Sequence, residues 1–226
     1  TIDSCTTAEG KTIAGLSDVG GIAGWNAPGG KVKENGSYAN ITASGSRVGG
    51  TVGRNSGSVE VGVDGGTKSR SIDGRNGEGI GGIVGVNEST GTIQVTGKTS
   101  GSDELVAVGA QVTIHGNEKV GGIVGINRGS LGEAKGTYLT CQAKLVRAAQ
   151  GTVGGIAGTT SGSIQYAKNC AESVSADAGY AGGIVAENTA GKTISNCENH
   201  GNVTSSDGYA GGIAALNEGT IADCSV

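Results

Sequence analysis

The chain has 226 residues, of which 47 are glycine, with one proline, one tryptophan, and no phenylalanine or methionine. Glycine at about three times its average frequency, with so few large apolar side chains, excludes an ordinary globular core. The lack of a three-residue glycine period excludes collagen, and branched apolar residues recurring at matched positions exclude a disordered tract. A net charge of −4 without any basic run argues against nucleic acid and anionic membranes as partners, and no apolar run is long enough for membrane insertion.

Read in chain order, one phrase keeps returning. It appears as GGIAGWN from Gly20, GGTVGRN from Gly49, GGIVGVN from Gly81, GGIVGIN from Gly121, GGIAGTT from Gly154, GGIVAEN from Gly182 and GGIAALN from Gly211. The successive spacings are 29, 32, 40, 33, 28 and 29 residues, and repetition at such a period decides architecture before any local reading. After each phrase comes a turn and a short β-like run: SGSVEV at 56–61, TGTIQV at 90–95, SGSIQY at 161–166, GKTISNC at 191–197 and GTIADC at 219–224. A further run leads back to the next glycine pair, as in YANITAS at 38–44, AESVSA at 171–176 and GNVTSS at 201–206. Each unit therefore holds three short strands separated by Gly, Asn and Ser turns, and no segment has apolar positions at helical spacing.

Three short strands per unit, stacked unit on unit, predict an all-β fold: a parallel β-solenoid, right-handed β-helix-like, of about seven coils of roughly 29 residues. Coils hydrogen-bonded at about 4.8 Å would build a rod on the order of 35 Å long. A β-propeller is the alternative, but its blades need four strands and carry aromatic signatures missing here. Residues 1–226 form one repeat domain. The opening TIDSC and closing TIADCSV both fall in mid-unit, which leads us to expect a fragment of a longer protein.

Alternation along the glycine-pair strand predicts that Ile22, Thr51, Ile83, Ile123, Ile156, Ile184 and Ile213 point inward. The variable column Trp25, Arg54, Val86, Ile126, Thr159, Glu187 and Leu216 should face outward, because its Arg and Glu cannot be buried unpaired. Alternation then also puts the small column Ala23, Val52, Val84, Val124, Ala157, Val185 and Ala214 outward. Trp25 is accordingly a candidate exposed contact. The closing asparagines Asn26, Asn55, Asn87, Asn127, Asn188 and Asn217, with Thr160 as the exception, are expected to stack into a structural amide ladder.

The pattern VGGIVGxN, followed by a GTI turn and strand and then by C and GxV before the next glycine pair, resembles the GLUG motif repeat. That repeat occurs in bacterial surface adhesins and in the non-catalytic region of a family of immunoglobulin A1 metallopeptidases. The resemblance is clearest in GGIVGVNESTGTI and NCENHGNVTSSDGYAGGIAALNEGTIADC. It departs from the family phrase in having Ile where Leu is implied, and in the 40-residue third interval. It implies a β-solenoid, a secreted or bacterial cell-surface or cell-wall location, and an interaction or spacer role.

Five cysteines are present: Cys5, Cys141, Cys170, Cys197 and Cys224. The last three are each 27 residues apart, which predicts an inward ladder of thiols that react only on denaturation; a disulfide remains an alternative, although aligned parallel side chains seldom reach the required torsion. No pair has metal-ligand spacing. Catalysis finds little footing, since only His115 and His200 occur and HGNEK lacks the zinc-binding helix pattern. The expectation is therefore a non-enzyme without cofactors. Calcium is the one cation the pattern allows, through Asp73, Asn76 and Glu78 in SIDGRNGEG.

The longest interruption of the period, residues 97–119, reads GKTSGSDELVAVGAQVTIHGNEK. Insertions in solenoids gather on one face and often bind, which makes this a surface excursion and a binding loop with Asp103, Glu104, His115, Asn117 and Glu118 as its candidate residues. The functional expectation is an adhesin-like binding scaffold or spacer whose partner is a host or bacterial surface protein or a glycan. The alternative is an accessory domain of a secreted metallopeptidase or polysaccharide-active enzyme whose catalytic part lies elsewhere.

Overall fold

A computed structural model describes residues 1–63, 65–68, 71–96, 103–132, 136–189 and 191–226. Every ladder between strands is parallel, and the strands form four sheets in which each strand bonds only to its counterparts in the preceding and following coils. This is a β-solenoid of about seven turns, and no helix occurs among the described residues. One coil shows the plan. The chain runs through Ser58–Val61 in sheet A, Gly66–Thr67 in sheet B, Ser71–Gly81 in sheet C and Val84–Asn87 in sheet D, then starts the next coil at Thr92–Val95.

A coil thus has more strands than the three expected. The additional one lies in sheet B and is as short as two residues. In the third and fourth coils two segments of sheet C run together as Ser71–Gly81 and Thr113–Gly121, with a register shift between Gly74 and Glu78. In the other coils they are separate strands such as Asn40–Ala43 and Val48–Gly49.

Register explains the repeat. In sheet A, Val32, Val59, Ile93, Leu131, Ile164, Ile194 and Ile221 face one another in turn. In sheet C the matching column is Ile13, Ile41, Ile72, Ile114, Val146, Val174 and Val203. The inner members of both columns are buried, while the members in the first and last coils have a neighbour on one side only and are partly exposed. A branched side chain buried in this way contributes about 1.5–3 kcal/mol, so like apolar residues at like positions supply the force that holds coil to coil.

The glycine phrase turns a corner. Gly82 and Ile83 form a bend between sheets C and D, and the sheet D strand begins only at Val84. Alternation is broken there. The Ile83 column is buried as expected, but Val52, Val84, Val124, Ala157 and Val185 are also fully buried in the core. The outward placement of that small column is therefore corrected: the bend resets the faces, and both neighbours point inside. The glycines make the corner possible by close backbone approach. A Cβ on Gly85 would sit 2.5 Å from the Val48 nitrogen, and one on Gly81 would collide with the Val84 carbonyl oxygen of its own coil.

The amide ladder is present and buried. Asn26 Nδ2 donates to Asn55 Oδ1 at 2.8 Å, Asn55 to Asn87 at 2.8 Å, Asn87 to Asn127 at 2.9 Å, and Asn188 to Asn217 at 2.8 Å. At the exception, Asn127 Nδ2 donates to Thr160 Oγ1 at 3.1 Å, and the next acceptor, Asn188 Oδ1, is buried without a partner.

The expected three-cysteine ladder does not form. Ser195 pairs with Ala222, which brings Cys197 opposite Cys224, but Ile164 pairs with Ile194, an offset of 30 that places Ala167 rather than Cys170 opposite Cys197. Cys141 and Cys197 are buried, Cys170 and Cys224 are partly exposed and Cys5 is exposed.

The insertion is not a surface excursion either. Glu104–Val108 and Thr113–Gly121 are strands of sheets B and C, and Leu105, Ala107, Val108, Val112 and Ile114 are core residues. Residues 103–119 complete a coil. The register offset grows from 34 at Ser58–Thr92 to 41 at Thr67–Val108, so the extra length enters between those points; residues 97–102 lie outside the described residues.

Candidate functional site

Residues that alternate with the core columns cover the outside of the rod in rows about 4.8 Å apart. On sheet A the residue before each core position forms the row Ser58, Thr92, Ser130, Ser163, Thr193 and Thr220. Four of these coils line an open trough of about 470 Å³, floored by glycines 91, 129, 162 and 191, with Arg128 and Lys192 on its walls. Arg128 is tied to Glu88, which it shares with Arg54. Lys192 has no ion-pair partner among the described residues. The hydroxyls of Thr92, Ser130, Ser163 and Thr193 likewise have no protein partner there, so the trough offers donors and acceptors in a line along the rod axis.

On sheet C the residue after each core position forms the row Thr42, Asp73, His115, Arg147, Ser175 and Thr204. His115 lies in a cleft of about 390 Å³ with Arg75, Arg147, Ala149 and Asp177 around it and Gly116 beside it. Arg147 grips Asp177 with both ends of its guanidinium, Nε to Oδ1 at 2.9 Å and Nη2 to Oδ2 at 2.5 Å. Arg75 pairs with Asp73 at 3.0 Å. Burial first, and then the Arg75 charge, holds the His115 imidazole below its ordinary titration range. It is therefore neutral at pH 7, with one nitrogen to donate and one to accept.

The sequence-predicted residues thus fall on two faces. Glu104 stands on sheet B, where Lys168 Nζ donates to it at 2.5 Å and also pairs with Glu198 at 3.2 Å. Lys168 sits 6.0 Å from the Tyr138 ring centroid, and Tyr138 meets Tyr166 edge to face at 6.1 Å. His200, Lys168 and Tyr138 together hold the Glu198 carboxyl below its usual range. Asp103 and Asn117 contribute backbone carbonyls, to Tyr138 N at 2.7 Å and Gln150 N at 2.8 Å. Glu118 lies against Gly151. His115 alone among these five lines a cleft. Trp25 is 56% exposed, as expected, and stacks under Arg54 with the guanidinium 5.6 Å from its ring centroid. Its column is not uniformly exposed: Val86 and Ile126 are 2% and 7% exposed, and both lie near Gly79 at the bulge.

The proposed calcium donors are otherwise engaged. Asp73 binds Arg75, and Glu78 takes Lys119 at 2.5 Å. No cluster of three metal-ligating side chains occurs among the described residues. Arg75, Arg147, Asp177, Lys168, Tyr138 and the hydroxyl row were missed from sequence. The signal for the rows was there: each row residue adjoins the branched apolar residue of a repeated phrase, as in ID, IH and VR.

Fold and surface together define a β-solenoid repeat protein with rows of polar side chains on a rigid frame. The chain matches no family model, no curated protein and no solved structure.

Proposed function

We propose that the protein is a non-catalytic binding scaffold and spacer of a larger bacterial secreted or cell-surface protein, and that its ligand is a linear polar chain such as a glycan. The observation that carries this reading is the sheet A trough. Four in-register coils repeat unpaired hydroxyls along one line, with the unpaired Lys192 ammonium beside them. A repeating array suits a repeating ligand, and hydroxyls held on strands lose little freedom on binding. The location and the adhesin-like role rest on the resemblance to GLUG repeats.

The test is a glycan array, including acidic polysaccharides, probed with the protein and with a variant carrying Lys192→Ala and Ser163→Ala. Binding that falls at least about tenfold in the variant, corresponding to about 1.4 kcal/mol, supports the trough. Binding that is absent, or unchanged in the variant, counts against it.

A further inference from the structure

Two thiols meet at the corner after sheet A in neighbouring coils. Cys197 and Cys224 stand opposite each other, two residues beyond the Ser195–Ala222 pair. Backbone bonds from Asn196 N to Ala222 O at 3.2 Å and from Ser225 N to Cys197 O at 3.0 Å clamp the two coils on either side. Adjacent parallel strands put such Cα atoms about 4.8 Å apart, inside the range of about 4.4–6.8 Å found for disulfides. The objection that aligned side chains cannot reach the torsion applies to flat strands. Here each cysteine follows a left-handed residue, Asn196 with φ 51° and Asp223 with φ 52°, and lies outside the ladder.

The thiols also point toward each other's coil. Cys197 Sγ lies 3.2 Å from Ser195 O, while Cys224 Sγ lies 3.3 Å from Ala222 O and 3.8 Å from Ile194 O of the preceding coil. Cys197 is buried and Cys224 is partly exposed, so one sulfur faces solvent and the other stands behind it.

We infer that Cys197 and Cys224 are a reversible disulfide-forming pair, with Cys224 the attacking thiol and Cys197 the resolving one. A hydrogen bond from Cys197 lowers the Cys224 thiol to about 7, and the same bond together with burial raises Cys197. The oxidant is a low-molecular-weight disulfide. Cys224 thiolate attacks one of its sulfurs, forming a mixed disulfide and releasing one thiolate. Cys197 sulfur then attacks Cys224 Sγ and passes its proton to the second departing thiolate. The oxidant is reduced to two thiols, and the protein loses two hydrogens and gains one S–S bond.

The experiment uses the full chain with exposed Cys5 changed to Ser, equilibrated in oxidised and reduced glutathione and mapped without reduction by mass spectrometry. The expected result is a linked peptide containing Cys197 and Cys224, reversed by dithiothreitol, and a melting temperature raised on the order of 5 °C or more by closure of the loop. Cys197→Ser should instead accumulate a glutathione adduct at Cys224, and Cys224→Ser should give neither adduct nor shift. A persistent adduct at Cys224 in the Cys5→Ser parent, a link through Cys141 or Cys170, or no reaction would each overturn the assignment.

Discussion

Replacing Thr160 with Asn should stabilise the protein. At Asn55, which the ladder treats normally, Oδ1 accepts from Asn26 Nδ2 at 2.8 Å and Gly57 N at 3.2 Å, and Nδ2 donates to Asn87 Oδ1 at 2.8 Å and Gly57 O at 3.2 Å. Thr160 reproduces most of this set. Its hydroxyl accepts from Asn127 Nδ2 and from Gly162 N and donates to Gly162 O at 3.0 Å. A hydroxyl has only one proton, so nothing remains for Asn188 Oδ1, which is buried and unpaired although Thr160 and Asn188 stay in register. An orphaned buried acceptor costs about 1–3 kcal/mol. An asparagine at 160 supplies the missing donor and keeps the other bonds, so the gain should approach that figure, or roughly 2–10 °C in melting temperature for a chain of this length. Thermal unfolding followed by circular dichroism, with urea titration for the free energy, measures it. The opposite perturbation, Asn87→Ala, removes the partners of Asn55 Nδ2 and Asn127 Oδ1 and should cost about 1–3 kcal/mol per orphaned atom. A Thr160→Asn protein no more stable than its parent would refute the reasoning.

Three further outcomes follow from the fold. Gly125→Ala places a methyl group 2.3–2.6 Å from the backbone at Gly79 and Ile80, so it should destabilise by more than about 4 kcal/mol or prevent folding, as read by yield and urea midpoint. His115, held below its ordinary range by burial, is protonated more readily in the unfolded chain. Its contribution is therefore full above about pH 6.5 and is lost as pH falls from there through the folded value; a nuclear magnetic resonance titration placing His115 at or above 6.5 would contradict this. In the native protein Cys5 should label quickly with a thiol reagent, whereas Cys141, buried and pushed up to about 12, should label only on unfolding, and early Cys141 labelling would show that its coil opens.

Repeat, strand runs and amide ladder were legible because each rests on a residue type with one dominant physical reason to recur: paired glycine for backbone approach, branched residues for the core columns, asparagine for the axial amide bond. What failed was inference across a bend. The Ile83–Val84 pair violates strand alternation because Gly82 and Ile83 form the corner, and no propensity announces where a strand of four residues begins. The Gly66–Thr67 strand of sheet B was invisible because two residues carry no period. The cysteine ladder was misread because 27 residues is the spacing in sequence, while the Ile164–Ile194 register between those coils is 30. Register follows the core columns, and turn length absorbs the difference. His115 was found as a rare residue type, but Arg75, Arg147 and Asp177 come to it from neighbouring turns.

Because each strand bonds only to its counterparts in adjacent coils, almost every stabilising contact joins residues one coil apart. Mechanical load applied along the axis then meets no long-range tie. It works on one interface at a time, and each coil that detaches frees about 30 residues, on the order of 100 Å of extended chain. Such a rod yields as a ratchet, lengthening in equal steps at similar force.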